Sequence, residues 1–354
     1  MPHHPDPSNP LSRSVRYLGP GQPFALRAVA VPQPEAGEVR VRVAACGVCR
    51  TDLHLRDGLL DLGRRDFAVG HEIAGVVEAT GPGVDPARVG QRVVVYYYVG
   101  CGHCRYCRVG DAHLCPQPRA QPGFSSDGGY ADYVVVPDVT CVPVPDGIPL
   151  TQAAPVGCAG STAVHAGRLA DIRPGDWVVV NGLGGVGAAL AQYARHAGAR
   201  VIAVGRGAAR AAWAQRLGAE AAFDPDATPD LAAAIVALTG EGADVVFDLI
   251  GTRAALVAAT GMLRRRGRLI LLGYTEQTYD IHPVDLIVRE ITVRGSVGAS
   301  LEDLHEAVAL MARGVLRFDI ADIVPLDAFD DALARVRAGG LTGRVVLDTG
   351  SGAV

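Results

Sequence analysis

The chain contains no lysine: all 33 of its basic residues are arginine. That excludes Schiff-base catalysis, pyridoxal phosphate attachment and P-loop phosphoryl transfer, each of which needs a lysine amine. Any basic group that meets an anionic ligand is therefore an always-charged guanidinium or a histidine. No run of 18 uninterrupted apolar residues occurs, so no membrane partner is expected. The opening "MPHHPDPSNP" lacks the apolar segment of a secretory leader, which makes the cytoplasm the expected compartment. A basic excess is missing too. The net charge is −4 and "RRRGR" at 264–268 is the only dense basic run, so nucleic acid is not expected as a partner. Internal repeats and extended low-complexity tracts are absent.

What is present suits two domains. The 354 residues are nearly half hydrophobic, too many for one small core and too apolar for disorder. From about 25 to 150, short alternating runs such as "EVRVRVAA", "IAGVVEAT" and "ADYVVVP" are punctuated by Gly and Pro, the pattern of a compact β unit. After about 150 the rhythm changes. "DWVVVNGLGGVGAALAQYARHAGARVIAVG" reads as strand, glycine turn, amphipathic helix and strand, and "DVVFDLIG" and "GRLILLGY" add further strands between Ala-rich helical stretches. Strands alternating with helices predict a doubly wound parallel sheet.

Eight cysteines stand at 46, 49, 101, 104, 107, 115, 141 and 158. Cys101, Cys104, Cys107 and Cys115 form C-x2-C-x2-C-x7-C, whose thiolates can converge tetrahedrally on a structural zinc. An iron–sulfur cluster and a set of disulfides are the alternatives, the latter disfavoured by a reducing compartment. "CGVCRTDLH" at 46–54 could by itself be a redox pair, but it lies among β-like segments rather than at the start of a helix in a βαβ unit. "GHE" adds His71 with Glu72 beside it, and "GCAG" adds Cys158. One Cys, one His and another Cys make the donor set of an open catalytic zinc, with the fourth position left to water or substrate.

Taken together, "GVCRTDLH", "GHE", the four-cysteine lobe, "GCAGSTAVHA", "GLGGVG" and "GRVVL" resemble the zinc-dependent medium-chain alcohol dehydrogenases, and the likeness runs from about 25 to 350. The resemblance implies a GroES-like β-barrel catalytic domain at 1–159, a Rossmann coenzyme-binding domain at 160–297 and a return to the catalytic domain over 298–354. It implies two Zn2+ per chain. One would be held by Cys49, His71 and Cys158, the other by Cys101, Cys104, Cys107 and Cys115. Cys46 and Cys141 are left as buried thiols. Zinc supplies what no side-chain base can: lowering the pKa of a bound hydroxyl to about 7 is worth roughly 12 kcal/mol. Thr51 would pass the released proton to His54 and so to solvent. Asp52 would accept from the second nitrogen of His71 and fix its tautomer. Glu72 resembles the glutamate that approaches the metal during ligand exchange without being a permanent ligand.

Gly182, Gly184 and Gly187, with Gly185 and Val186 between the last two, follow a strand and open a helix, the context in which G-x-G-x-x-G binds a dinucleotide pyrophosphate. The acidic residue that would bind the adenosine ribose of NAD is absent. Gly205 and Arg206 stand there, with Arg210 four residues on, which leaves room for a 2′-phosphate and supplies guanidinium donors. NADP(H) is therefore expected ahead of NAD(H). By the resemblance, Arg50 and Arg344 would contact the pyrophosphate.

Leu60 and the run Tyr96, Tyr97, Tyr98 are expected to line the pocket, with Tyr97 nearest the metal and, by strand alternation, facing away from its two neighbours. That wall suits apolar or aromatic alcohols, aldehydes and ketones. A short segment after Cys115 points to a homotetramer over a dimer. The rival readings are a catalytically idle nucleotide-binding sensor or scaffold, a zinc-free quinone or enoyl reductase, and a polyol dehydrogenase.

Overall fold

The computed structural model describes residues 11–351, so the N-terminal "MPHHPDPSNP" lies outside the described residues. Two large sheets organise the chain, beside a small third one in which Leu11–Tyr17 pairs with Ala25–Ala30 and Phe67–Ala68. In the first, the long strand Glu38–Val48 pairs antiparallel with Glu72–Thr80, with Arg344–Asp348 and with Tyr133–Pro137. Arg92–Val95 and Cys141–Pro143 extend the sheet at one edge and Ile320–Pro325 at the other. Along Glu38–Val48 buried valines alternate with half-buried Glu38, Arg40 and Arg42, and Val39, Val41, Val43 and Val48 join one core with Ile73, Tyr130 and Leu347. The C-terminal strands thus return to the sheet built by the N-terminal half.

The second sheet is wholly parallel. Its spatial order is Ala221–Phe223, Arg200–Val204, Trp177–Asn181, Ala243–Asp248, Leu263–Leu271 and Thr292–Gly295. Numbered along the chain this is 3-2-1-4-5-6, the order in which nucleotides bind outside the carboxyl ends of the strands where the winding reverses. The central strands are fully buried valine-rich runs because helices cover both faces. The run "RRRGR" lies on the fifth strand, and three of its four arginines are ion-paired: Arg264 with Asp244, Arg266 with Glu290, Arg268 with Asp176. No helix among the described residues is long and apolar enough to cross a membrane.

The helix Ala159–Leu169 lies between the sheets, packed on Gly185–His196 of the parallel half and on Leu301–Ala312. Its alanines are buried along the face that meets the other helices, which allows a close approach. This places Cys158, its N-terminal flanking residue, at the junction of the two halves.

Candidate active site

Strand register builds the site. Gly47 pairs with Glu72 and Val48 with Val345, so the end of one strand meets the beginnings of two others. Cys49, just past Val48, therefore comes beside His71, just before the strand starting at Glu72, with Arg344 alongside. Cys158 arrives from the 3-10 turn Ala154–Gly157, which packs on Glu72–Thr80. One donor atom from each of Cys49, His71, Glu72 and Cys158 lies within 4.8 Å of the others, and all four residues are buried.

The donor chemistry fits a cation. His71 Nε2 and Glu72 Oε2 are buried without a hydrogen-bond partner. Burial disfavours a charged His71, yet Asp52 and the Cys49 sulfur outweigh it and push the ring up to about 10. The Cys158 thiol and the His71 ring draw the Cys49 thiol well below its usual range. The four-cysteine lobe fits equally well: Cys101 and Cys107 sulfurs are 4.0 Å apart and those of Cys104 and Cys115 3.9 Å. A tetrahedron with zinc–sulfur bonds of about 2.3 Å has edges of about 3.8 Å. The backbone N–H groups of Cys104, Cys101 and Cys107 point at sulfurs at 3.3–3.4 Å, and donors from His103 and Cys104 lower the Cys101 thiol to about 6. All eight cysteines are unpaired, and Cys46 and Cys141 are buried and belong to neither cluster.

Around the buried cluster, Asp52 serves three groups. Its Oδ2 accepts from the Cys49 N–H at 2.9 Å, capping the helix Arg50–Asp57, and from the Tyr130 hydroxyl at 2.9 Å. Its Oδ1 lies 3.2 Å from His71 Nδ1. Tyr130 lies 78 residues away and no local pattern pointed to it. Thr51 Oγ1 is 3.5 Å from Cys49 Sγ. His54, one turn along, has a buried Nδ1 with no partner, and burial lowers its proton affinity. Burial pushes the Glu72 carboxyl up to about 7 against the pull of Arg344, whose Nη2 donates to Glu72 Oε1.

Gly182 adopts φ +113°, and a Cβ on Gly187 would fall 2.1 Å from the Gly182 carbonyl oxygen, so helix and strand pack at glycine distance. A Cβ on Gly184 would meet nothing within 4 Å, which leaves the helix N-terminus open to an anion. Val186 packs at the edge of the interdomain core. A side chain on Gly185 would strike the Arg344 guanidinium at 2.3 Å. Arg344 was expected at a pyrophosphate; it lies against the glycine turn and is also the ion partner of Glu72, a tie between the two halves that spacing does not reveal.

At the end of the strand Arg200–Val204, Gly205 sits against Leu183 and Arg210. The Arg210 guanidinium is half-buried, with Nε unpartnered, and burial together with the charges of Arg50 and Arg206 lowers its proton affinity. Arg206 is 74% exposed, 3.9 Å from Asp226.

The aromatic wall departs from the expected alternation. The strand ends at Val95, before the tyrosines; Tyr96 and Tyr97 go to different clusters, and Tyr98 packs against both. Tyr97 and Tyr98 pack ring to ring at 4.5 Å, and both border a cluster with Cys49, Cys158, Phe124 and Leu60. Tyr96 turns away to donate to Ala299 O. Phe124, not foreseen, stacks on His71 at 4.4 Å.

The model of the family described as "Alcohol dehydrogenase GroES-like domain" matches residues 35–146, and that described as "Zinc-binding dehydrogenase" matches 185–313. An alcohol dehydrogenase of Geobacillus stearothermophilus is 35% identical over 328 residues, 92% of this chain and 96% of that protein. Among solved structures, a zinc-binding dehydrogenase of Sinorhizobium meliloti 1021 bound to NADP is similar with TM-score 0.88 and 29% identity, covering 96% of this chain and 99% of that one. The acetophenone reductase of Geotrichum candidum in complex with NAD is similar with TM-score 0.87 and 29% identity, covering 96% and 97%.

Proposed function

The chain belongs to the zinc-dependent medium-chain alcohol dehydrogenases, and from that membership we propose that it interconverts apolar or aromatic alcohols with aldehydes or ketones, using NADP(H) in preference to NAD(H). The observation that carries the reading is the convergence of Cys49, His71, Cys158 and Glu72 on one point at the cleft between the two sheets. Cys49, His71 and Cys158 would hold the catalytic zinc, and Cys101, Cys104, Cys107 and Cys115 a structural one. When bound, the catalytic metal acidifies a hydroxyl and the nicotinamide takes the hydride.

The chain's own groups do the rest. Tyr97, Tyr98, Phe124 and Leu60 exclude water from the reacting carbon and favour an apolar substituent, which argues against polyols. Asp52, held by Tyr130 and the Cys49 N–H, keeps His71 Nδ1 oriented so that Nε2 faces the metal. The alcohol proton leaves by Thr51 Oγ1 towards His54, whose neutral ring accepts it and hands it to water. A guanidinium pocket of Arg210 and Arg206 beside Gly205 supports the NADP(H) preference. The intact donor set and relay speak against an idle sensor or scaffold and against a zinc-free reductase. Eight unpaired cysteines suit the reducing cytoplasm. Homotetramer assembly is supported by the strand Thr292–Gly295, which pairs on one side only among the described residues, next to exposed Ile287 and Val288.

The test is initial rates on primary, secondary and aromatic alcohols and their carbonyls with both cofactors, alongside zinc per chain. Two zincs and turnover with NADP(H) preferred are expected. Turnover with NAD(H) preferred removes the phosphate-pocket reading, and one zinc without turnover removes the enzyme.

A further inference from the structure

Only two tryptophans occur in the chain, and one of them reaches from the nucleotide-binding half to the other. Trp213 lies on the helix Ala208–Arg216, three residues after Arg210. It is 2% exposed and packs in a small core with Leu183 of the glycine turn, Ala188 of the helix that follows the turn, and Ala203. Its polar edge leaves that core. The indole Nε1 donates at 2.7 Å to Oδ2 of Asp319, which stands just before Ile320–Pro325, an edge strand of the other sheet.

The segment around Asp319 is held a second time. Buried Gln192, on Gly185–His196, accepts from Arg317 N at 2.9 Å and donates to Arg317 O at 3.0 Å. Phe318, between the two contacts, is buried in the interdomain core. Asp319 in turn supports the last strand. Its carbonyl oxygen accepts from Arg344 N at 2.8 Å, and a Cβ on Gly343 would fall 2.7 Å from that oxygen, so residues 343 and 344 lie directly on it. The Arg344 guanidinium lies against Gly185 and donates to Glu72, while its Nε is buried without a partner among the described residues. The contacts close a circuit that runs from the glycine turn through Trp213, Asp319 and Arg344 back to the turn.

We propose that Trp213 is a positioning residue for the coenzyme: through Asp319 it sets Arg344 over the glycine turn, where the unpartnered Nε meets the pyrophosphate that NAD(H) and NADP(H) share. The proposal rests on the reading of that turn as a dinucleotide site. A guanidinium moved by about 1 Å is out of hydrogen-bond reach of an oxygen it was built to meet. Asp319 fixes the main chain of Arg344, and the ion pair with Glu72 leaves the side chain little freedom to compensate. Arg210 differs, because it acts on the 2′-phosphate alone.

Equilibrium titrations of NADPH and NADH fluorescence on the full chain test it. Trp213→Phe keeps a ring in the core and loses the N–H; Asp319 is exposed, so Asp319→Ala removes the acceptor without touching the core, and Asp319→Asn retains one. Trp213→Phe and Asp319→Ala should each weaken both nucleotides alike, by about fivefold or more, and together no further than either alone. Asp319→Asn should stay within about twofold of the parent. In an Arg344→Met background the effect of Trp213→Phe should vanish. A helix merely loosened around Trp213 would displace Arg210, weaken NADPH more than NADH, and do so with or without Arg344. Either result overturns the proposal, as does parent affinity in Trp213→Phe. A second readout needs no nucleotide: the denaturant midpoints of the parent, Trp213→Phe, Arg344→Met and the double variant. The two losses of stability should fall clearly short of additive, and additive losses overturn the proposal. If the parent binds neither nucleotide, the reading of the turn falls, and this cycle still decides whether Trp213 acts on Arg344.

Discussion

Replacing Arg210 by alanine should weaken NADP(H) binding far more than replacing Arg206, although Arg206 stands directly after Gly205. The Arg210 guanidinium is half-buried, its Nε has no partner, and Arg50 and Arg206 repel it. An arriving phosphate dianion satisfies the donor and relieves the repulsion. A charge-assisted hydrogen bond in such a setting contributes about 1.5–3 kcal/mol, or about 10- to 150-fold in Kd. Arg206, 74% exposed and facing Asp226, belongs with exposed ion pairs of at most about 1 kcal/mol, or about fivefold. NAD(H) has no 2′-phosphate, so its affinity should hold or tighten slightly once a buried like charge is removed. The assay is equilibrium titration of NADPH and NADH fluorescence against the parent, Arg206→Ala and Arg210→Ala, at two salt concentrations. The reasoning fails if Arg210→Ala weakens both nucleotides equally, or if NADPH binding stays within about twofold of the parent.

Cys49→Ala and His71→Ala should each abolish turnover and remove one of two zincs, while Cys104→Ala should remove the other and lower the thermal midpoint; metal analysis with calorimetry checks both. Arg344→Met strands the buried Glu72 carboxylate and should lower stability by about 3 kcal/mol at pH 8, read from the denaturant midpoint. Asp303 is held at about 2: burial alone would raise it, but His165 and Ser300 outweigh burial. A depressed carboxyl stabilises above its unfolded value near 4 and loses that contribution as pH falls towards 2. The gap in thermal midpoint between the parent and Asp303→Asn should therefore be wide at pH 7 and narrow steadily below pH 4.

The two-sheet division was legible because each sheet writes its own period. Alternation along "EVRVRVAA" marks a strand with one face in the core, and the unbroken "WVVV" and "VVF" mark strands covered on both sides. The donor residues were legible because ligand chemistry demands Cys and His, which are scarce enough to stand out. The tyrosine wall was misread for a physical reason. Period two holds only while the chain remains a strand, and the strand stops at Val95, so Tyr98 came to lie against both Tyr96 and Tyr97.

Phe124, Tyr130 and Tyr274 were missed for a different reason. Each lies on or next to a loop far along the chain from the residue it touches, and an aromatic in a loop carries no signal of what it will meet. Their partners are all residues the sequence did single out: Phe124 meets His71, Tyr130 meets Asp52, and Tyr274 meets His54. A buried histidine among other donors needs an oriented ring, and a buried carboxylate needs donors. Those needs are fixed by the chemistry of the site, whereas the residues that answer them are fixed by whichever loops the two sheets bring to the cleft. The reaction class can therefore be read from "CRTDLH" and "GHE", whereas the loop aromatics that meet those residues cannot.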